Sequence, residues 1–187
     1  GDVYTGFDAR SLDARGLALD ARGLVRRYGE AVAVDHVDIA VPRGEVVALL
    51  GPSGCGKTTT LRLIAGLDRG EGTIVIDGMP VSGAGRAVPP ESRGVGLVFQ
   101  DSVLFPHLDV AGNVAYGVRG RERDVAAQRM LALLGIGHLA GRRPHEISGG
   151  EQQRTALART LATAPALVLL DEPFAHLDAS LREHVRD

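Results

Sequence analysis

The sequence predicts an α/β fold: a core with a mainly parallel sheet, an N-terminal antiparallel β subdomain and an inserted helical subdomain. Three observations predict it. The runs 45–50, 95–99 and 166–170 are short and almost continuously apolar, as in strands buried on both faces of a parallel sheet. Residues 31–41 and 73–77 are short β-branched runs bounded by Pro42-Arg43-Gly44 and Asp77-Gly78, the pattern of antiparallel strands and their turns. Residues 124–134 carry apolar side chains at Val125, Met130, Leu133 and Leu134 between Arg-rich and Gly-rich loops, which predicts a helix.

The elements follow in chain order. Leu12-Asp13-Ala14-Arg15-Gly16-Leu17 repeats at once as Leu19-Asp20-Ala21-Arg22-Gly23-Leu24. Two copies are too few for a solenoid, so residues 1–18 read as a polar tail or remnant outside the fold. The core is expected over 19–100 and 147–187, with the helical subdomain inserted over 101–146. Residues 58–65 place apolar side chains at Leu61, Ile64 and Ala65 ahead of Gly66, a helix stopped by a glycine cap.

Composition narrows the function. The 187 residues are 44% hydrophobic and 24% charged, ordinary for a globular domain. A formal net charge of −2 argues against bulk electrostatic binding of nucleic acid. Cys55 is the single cysteine, which excludes an intrachain disulfide. No apolar run approaches the ~18 residues that span a bilayer, and the first residues lack a secretory pattern. The expectation is a soluble cytoplasmic protein whose membrane role comes through a partner. Glycine, at 25 residues, marks many tight turns or close approaches of the backbone.

One glycine-rich stretch has a specific chemistry. Gly51-Pro52-Ser53-Gly54-Cys55-Gly56-Lys57-Thr58 fits the phosphate-binding pattern G-x-x-x-x-G-K-[ST] between an apolar run and a helix. Its N–H groups can face inward as an anion cradle, and the helix terminus adds partial positive charge. Lys57 then neutralises the β- and γ-phosphates and the Thr58 hydroxyl binds Mg²⁺, with Thr59 beside it. Leu167-Val168-Leu169-Leu170-Asp171-Glu172 delivers two carboxylates at the end of an apolar strand, where α/β sheets bind ligands. Asp171 suits the Mg²⁺ shell and Glu172 the attacking water; read alone, the pair has a solvated acidic turn before Pro173 as its lesser alternative. Together the two motifs indicate a P-loop NTPase.

A third motif, Ile147-Ser148-Gly149-Gly150-Glu151-Gln152-Gln153-Arg154, resembles the LSGGQ signature of ABC (ATP-binding cassette) ATPases, whose core is RecA-like. Ser148 and two glycines open a helix whose bare N–H groups can receive an anion. Ile147 and Glu151 depart from the signature, and Glu151 sets a negative charge near that anion site. The resemblance covers the chain from about residue 19 onward. It implies that Gln100 contacts Mg²⁺ and water, that Tyr28 stacks on adenine, and that Ser148, Gly150 and Asp178 lie at an ATP-sandwiching homodimer interface. A sheet-edge packing role for Tyr28 stays open. The implied catalytic residues are Lys57, Gln100 and Glu172, with ATP and Mg²⁺ as cofactors. His176 reads as a surface histidine.

The strings at 51–68, 98–117 and 171–182 are similar to ATPases of bacterial solute importers, the ferric-iron group first, beside sulfate, polyamine and maltose. This implies a peripheral subunit on the cytoplasmic face of the inner membrane, paired with permease subunits and indirectly with a solute-binding protein. Phe105, Pro106, His107 and Leu108 would line the groove for the permease, packing between subdomains being the alternative. Family members continue beyond Asp187 to a switch histidine and often a regulatory domain. None of the six histidines stands in the switch place, so this chain is expected to hydrolyse ATP poorly. A nucleotide-binding regulatory fragment without turnover, or an ABC ATPase of translation or repair, are the other readings. The latter lacks its usual second cassette or long coiled coil here.

Overall fold

The computed structural model describes residues 16–99 and 103–171. Gln100, Glu172, Asp178 and His176, and most of the expected N-terminal tail, lie outside the described residues. The chain forms two compact units, one up to Val95 and one from Gly96 onward.

The first unit is built on a five-stranded sheet ordered β2-β1-β3-β4-β5. Strand β1 (Leu17–Tyr28) begins before the expected start at about residue 19 and pairs antiparallel with both β2 (Ala31–Pro42) and β3 (Glu71–Ile76). Leu19 and Ala21 face the core, and then Leu24 does. The alternation slips by one residue at Gly23, where the pairing with both neighbours shifts register. Such a bulge re-aims the strand without ending it. Asp77 and Gly78, both at positive φ, make the tight turn from β3 into β4 (Met79–Gly83) that their sequence predicts. The two-residue β5 (Arg86–Ala87) completes the sheet.

Helix α1 (Lys57–Ala65) lies after the glycine-rich loop and buries Leu61, Leu63, Ile64 and Ala65. Gly66 ends it in the left-handed conformation, its N–H bonded to Arg62 and Leu63 carbonyls. Arg93, buried, donates to the carbonyls of Leu63, Ile64 and Val88, a cation placed where the helix dipole is negative.

The expected strand at 45–50 does not form. Val46 is 97% and Leu50 70% exposed. An apolar run supplies strand propensity, but a strand also needs a partner edge for its N–H and C=O groups. Among the described residues none pairs with 45–50. The other two expected runs do form strands, β6 (Val95–Val98) and β7 (Leu167–Leu170), which pair with each other. The described sheet structure is therefore mostly antiparallel, against the mainly parallel core that three buried runs predict.

In the second unit α2 (Val110–Ala115), α3 (Arg123–Leu133) and α4 (Gly149–Ala162) share one core, in which Val98, Val114, Leu131, Ile136, Ile147 and Ala156 are buried. Helix α3 forms where expected but buries a different face. Ala127 and Leu131 are inside with Met130 and Leu134 beside them, whereas Val125 and Leu133 are exposed. The stripe 127, 130, 131, 134 has helical spacing. No helix of the described residues is long and apolar enough to cross a membrane.

Candidate functional site

The glycine-rich loop Gly51, Pro52, Ser53, Gly54, Cys55, Gly56 leads directly into Lys57 and Thr58 of α1. Gly56 is the helix N-cap at φ 94°, and an added Cβ would lie 2.1 Å from the Ala33 carbonyl of β2. Only glycine fits that combination of backbone angle and contact. No side chain caps α1 and no acidic residue stands in its first turn. A helix N-terminus without a capping side chain or an acid suits an anion. The Thr60 N–H and hydroxyl both donate to the Gly56 carbonyl, at 2.8 and 2.9 Å, which fixes the loop's exit. Lys57 folds back, donating to the Gly51 and Pro52 carbonyls at 2.8 and 2.9 Å. Its charge is thus stored on neutral acceptors inside the loop. Thr58 is exposed and Thr59 half-buried in the same turn.

Tyr28 ends β1. Its cross-strand partner is Ala31, two residues along β2 from Ala33, or about 7 Å. The Tyr28 hydroxyl donates to Asp68 at 2.5 Å, Arg26 bonds the same carboxylate at 2.8 Å, and the Arg26 guanidinium lies 4.4 Å from the Tyr28 ring centroid. The Tyr28 hydrogen bond is the main influence holding the Asp68 carboxyl below the usual carboxylate range; burial opposes it, and Arg26 and Arg62 assist. Asp68 and this clamp escaped the sequence reading, since Asp68 stands 40 residues from Tyr28.

The second unit carries the other candidates. Ser148 is the N-cap of α4, as expected, but the helix end is not bare. The Ser148 N–H and hydroxyl donate to the Glu151 carboxylate at 2.7 and 2.8 Å, and the Glu151 N–H returns a bond to the hydroxyl at 3.4 Å. This is a capping box, legible in the spacing of Ser148 and Glu151. The Ser148 N–H and then its hydroxyl hold the Glu151 carboxyl below the usual range, with Arg154 and His138 adding. Gly149 and Gly150 form the first turn.

Asp171 follows β7, is buried, and its N–H donates to the Val98 carbonyl at 2.9 Å. The end of β7 thus lies against the end of β6, two residues before Gln100. In the loop ahead of α2, Pro106 and His107 are exposed while Phe105 and Leu108 are half-buried. The Phe105 ring lies 4.2 Å from that of Tyr116, and the Arg159 guanidinium is 5.1 Å from its centroid. Arg143 donates to the His107 carbonyl. The wholly buried Asn113 amide bonds Phe105 N–H and the carbonyls of Phe105, Leu108 and Asp109. Asn113, also unforeseen, is signalled only as a polar residue within an apolar helical turn.

Residues 34–175 match the family described as ABC transporter. The chain is 48% identical over 180 residues to a sulfate/thiosulfate import ATP-binding protein of Mycolicibacterium paratuberculosis, covering 93% of this chain and 49% of the relative. It is 49% identical over 173 residues to an Fe(3+) ions import ATP-binding protein of Mesorhizobium japonicum, covering 90% and 48%. It is 52% identical over 176 residues to a spermidine/putrescine import ATP-binding protein of Frankia alni, covering 89% and 37%. The chain spans about half the length, or less, of these curated relatives. They name three different solutes at nearly equal identity, so they give ferric iron no preference.

Proposed function

Because this chain belongs to the ABC transporter family, we propose that it is the ATP-binding and ATP-hydrolysing part of a solute importer. The observation that carries this is the uncapped, acid-free N-terminus of α1 behind the 51–58 loop, with the Lys57 ammonium stored on loop carbonyls. A triphosphate would draw Lys57 off those neutral acceptors, since a charge-assisted bond to phosphate is the stronger one. Tyr28 would stack on adenine.

The Thr58 hydroxyl, Gln100 and Asp171 would hold Mg²⁺. These hard oxygen donors suit a cation that takes one or two carboxylates and completes its shell with phosphate and water. When bound, the ion neutralises charge on the β- and γ-phosphates. Glu172 would accept a proton from water as that water adds to the γ-phosphorus. The bond to the β-bridging oxygen breaks, and ADP and phosphate leave. Ser148, Gly149 and Gly150 would meet the γ-phosphate held by a second copy, with Asp178 crossing the same interface. Phe105, Pro106, His107 and Leu108 would receive the permease at the cytoplasmic face of the inner membrane, and a solute-binding protein would act at one remove.

The solute is drawn from the group that includes ferric iron, sulfate and polyamines; uptake assays with the partner permease decide among them. Calorimetric titration with Mg-ATP tests the core of the reading. Lys57→Ala should weaken binding by at least about tenfold, the scale of one lost charge-assisted contact. Equal affinity in the two proteins would sink it. A second reading, binding without turnover, is favoured by the Glu151 carboxylate on Ser148, which competes with a phosphate for the same donors. Steady-state hydrolysis measured beside a Glu172→Gln control separates the two.

A further inference from the structure

We propose that Asp68 is a positioning residue for base recognition, locking the Tyr28 ring from behind together with Arg26. The inference rests on the reading of Tyr28 as the adenine platform. Tyr28 is 48% exposed at the end of a strand, where a ring tethered only at its Cβ would sample several rotamers. Stacking would then lose part of its gain to the cost of ordering the ring. Here three contacts remove that freedom beforehand. The hydroxyl is bonded to Asp68, the guanidinium of Arg26 lies over the ring 4.4 Å from its centroid, and Arg26 is itself pinned to Asp68 at 2.8 Å.

The Asp68 carboxylate is only 14% exposed, and Arg62 stands 3.8 Å from it. Its own place is set by the end of α1: the Asp68 and Leu67 N–H groups both donate to the Arg62 carbonyl. The residue that aims the ring is therefore held just past the C-terminal cap of the helix that starts at the glycine-rich loop. A guanidinium against a ring face also polarises the π-system, so a purine would meet a ring already held and oriented.

Binding of Mg-ATP and of inorganic Mg-triphosphate, measured by calorimetry on the 187-residue chain, separates base positioning from support of the phosphate loop. Tyr28→Ala should weaken ATP about fivefold or more, the scale of one base–aromatic stack, and leave triphosphate unchanged. Asp68→Asn and Tyr28→Phe should each weaken ATP severalfold, again without effect on triphosphate. The double variant should be no weaker than either single one, because both cut the same link. Tyr28→Phe removes only an exposed hydroxyl and keeps the test usable should Asp68→Asn fold poorly.

An equal loss of ATP and triphosphate affinity in Asp68→Asn overturns the proposal in favour of a structural role. Full ATP affinity in both Asp68→Asn and Tyr28→Phe, with Tyr28→Ala impaired, overturns it while the platform reading survives. Full ATP affinity in Tyr28→Ala overturns both.

Discussion

Asn113 spends its whole amide on one loop: its oxygen accepts from Phe105 N–H at 2.8 Å, and its nitrogen donates to three carbonyls at 3.0 to 3.3 Å. Removing a buried amide strands its partners, which costs about 1–3 kcal/mol. Asn113→Ala should lower stability by that amount in urea unfolding, while the exposed His107→Ala should shift it little. Asp68 offers a second prediction at this scale. Its carboxyl is held below the usual range by the Tyr28 hydroxyl and nearby arginines. A depressed carboxylate contributes stability above its unfolded-state pKa, and that contribution disappears as pH falls through the lower folded-state value. The melting temperature of the wild type should therefore exceed that of Asp68→Asn at neutral pH. The gap should close only in acid below the ordinary aspartate range.

Helices and strands behave here as units that answer to their neighbours. The apolar pattern of α3 admits more than one buried face, and Leu131 rather than Leu133 points inward. Leu131→Ala should cost about 2–5 kcal/mol by cavity formation, against about 0.5 kcal/mol or less for the exposed Leu133→Ala. Urea midpoints of the two variants check this, and similar midpoints would contradict the assigned face. Helix ends differ in the same way. Helix α1 leaves its N-terminus to a glycine loop, whereas α4 covers its own with Glu151. Both start with glycine nearby, so the distinction lies in one carboxylate three residues past Ser148.

The whole chain carries two compact units and the family's three motifs. Saturating Mg-ATP should stabilise it by about 2.7 kcal/mol at a hundred times Kd. That amounts to about 5–10 °C in melting temperature for a chain of this size. At tenfold weaker binding Lys57→Ala should show about half of this shift at the same concentration, and less if the loss is larger; thermal melting reads both. The sequence by itself determined the glycine-rich loop ahead of α1, the Asp77-Gly78 turn, the capping residue Ser148 and the places of α1, α3 and the start of α4, but not α2. Each is a signal held within a few contiguous residues, where backbone angles and local hydrogen bonds decide the outcome. Only the tertiary structure decided that 45–50 stays exposed while 95–98 and 167–170 pair. It also chose which face α3 buries and joined Asp68 to Tyr28. Those outcomes depend on which distant surface supplies a partner, and an apolar run or a single carboxylate carries no record of that choice.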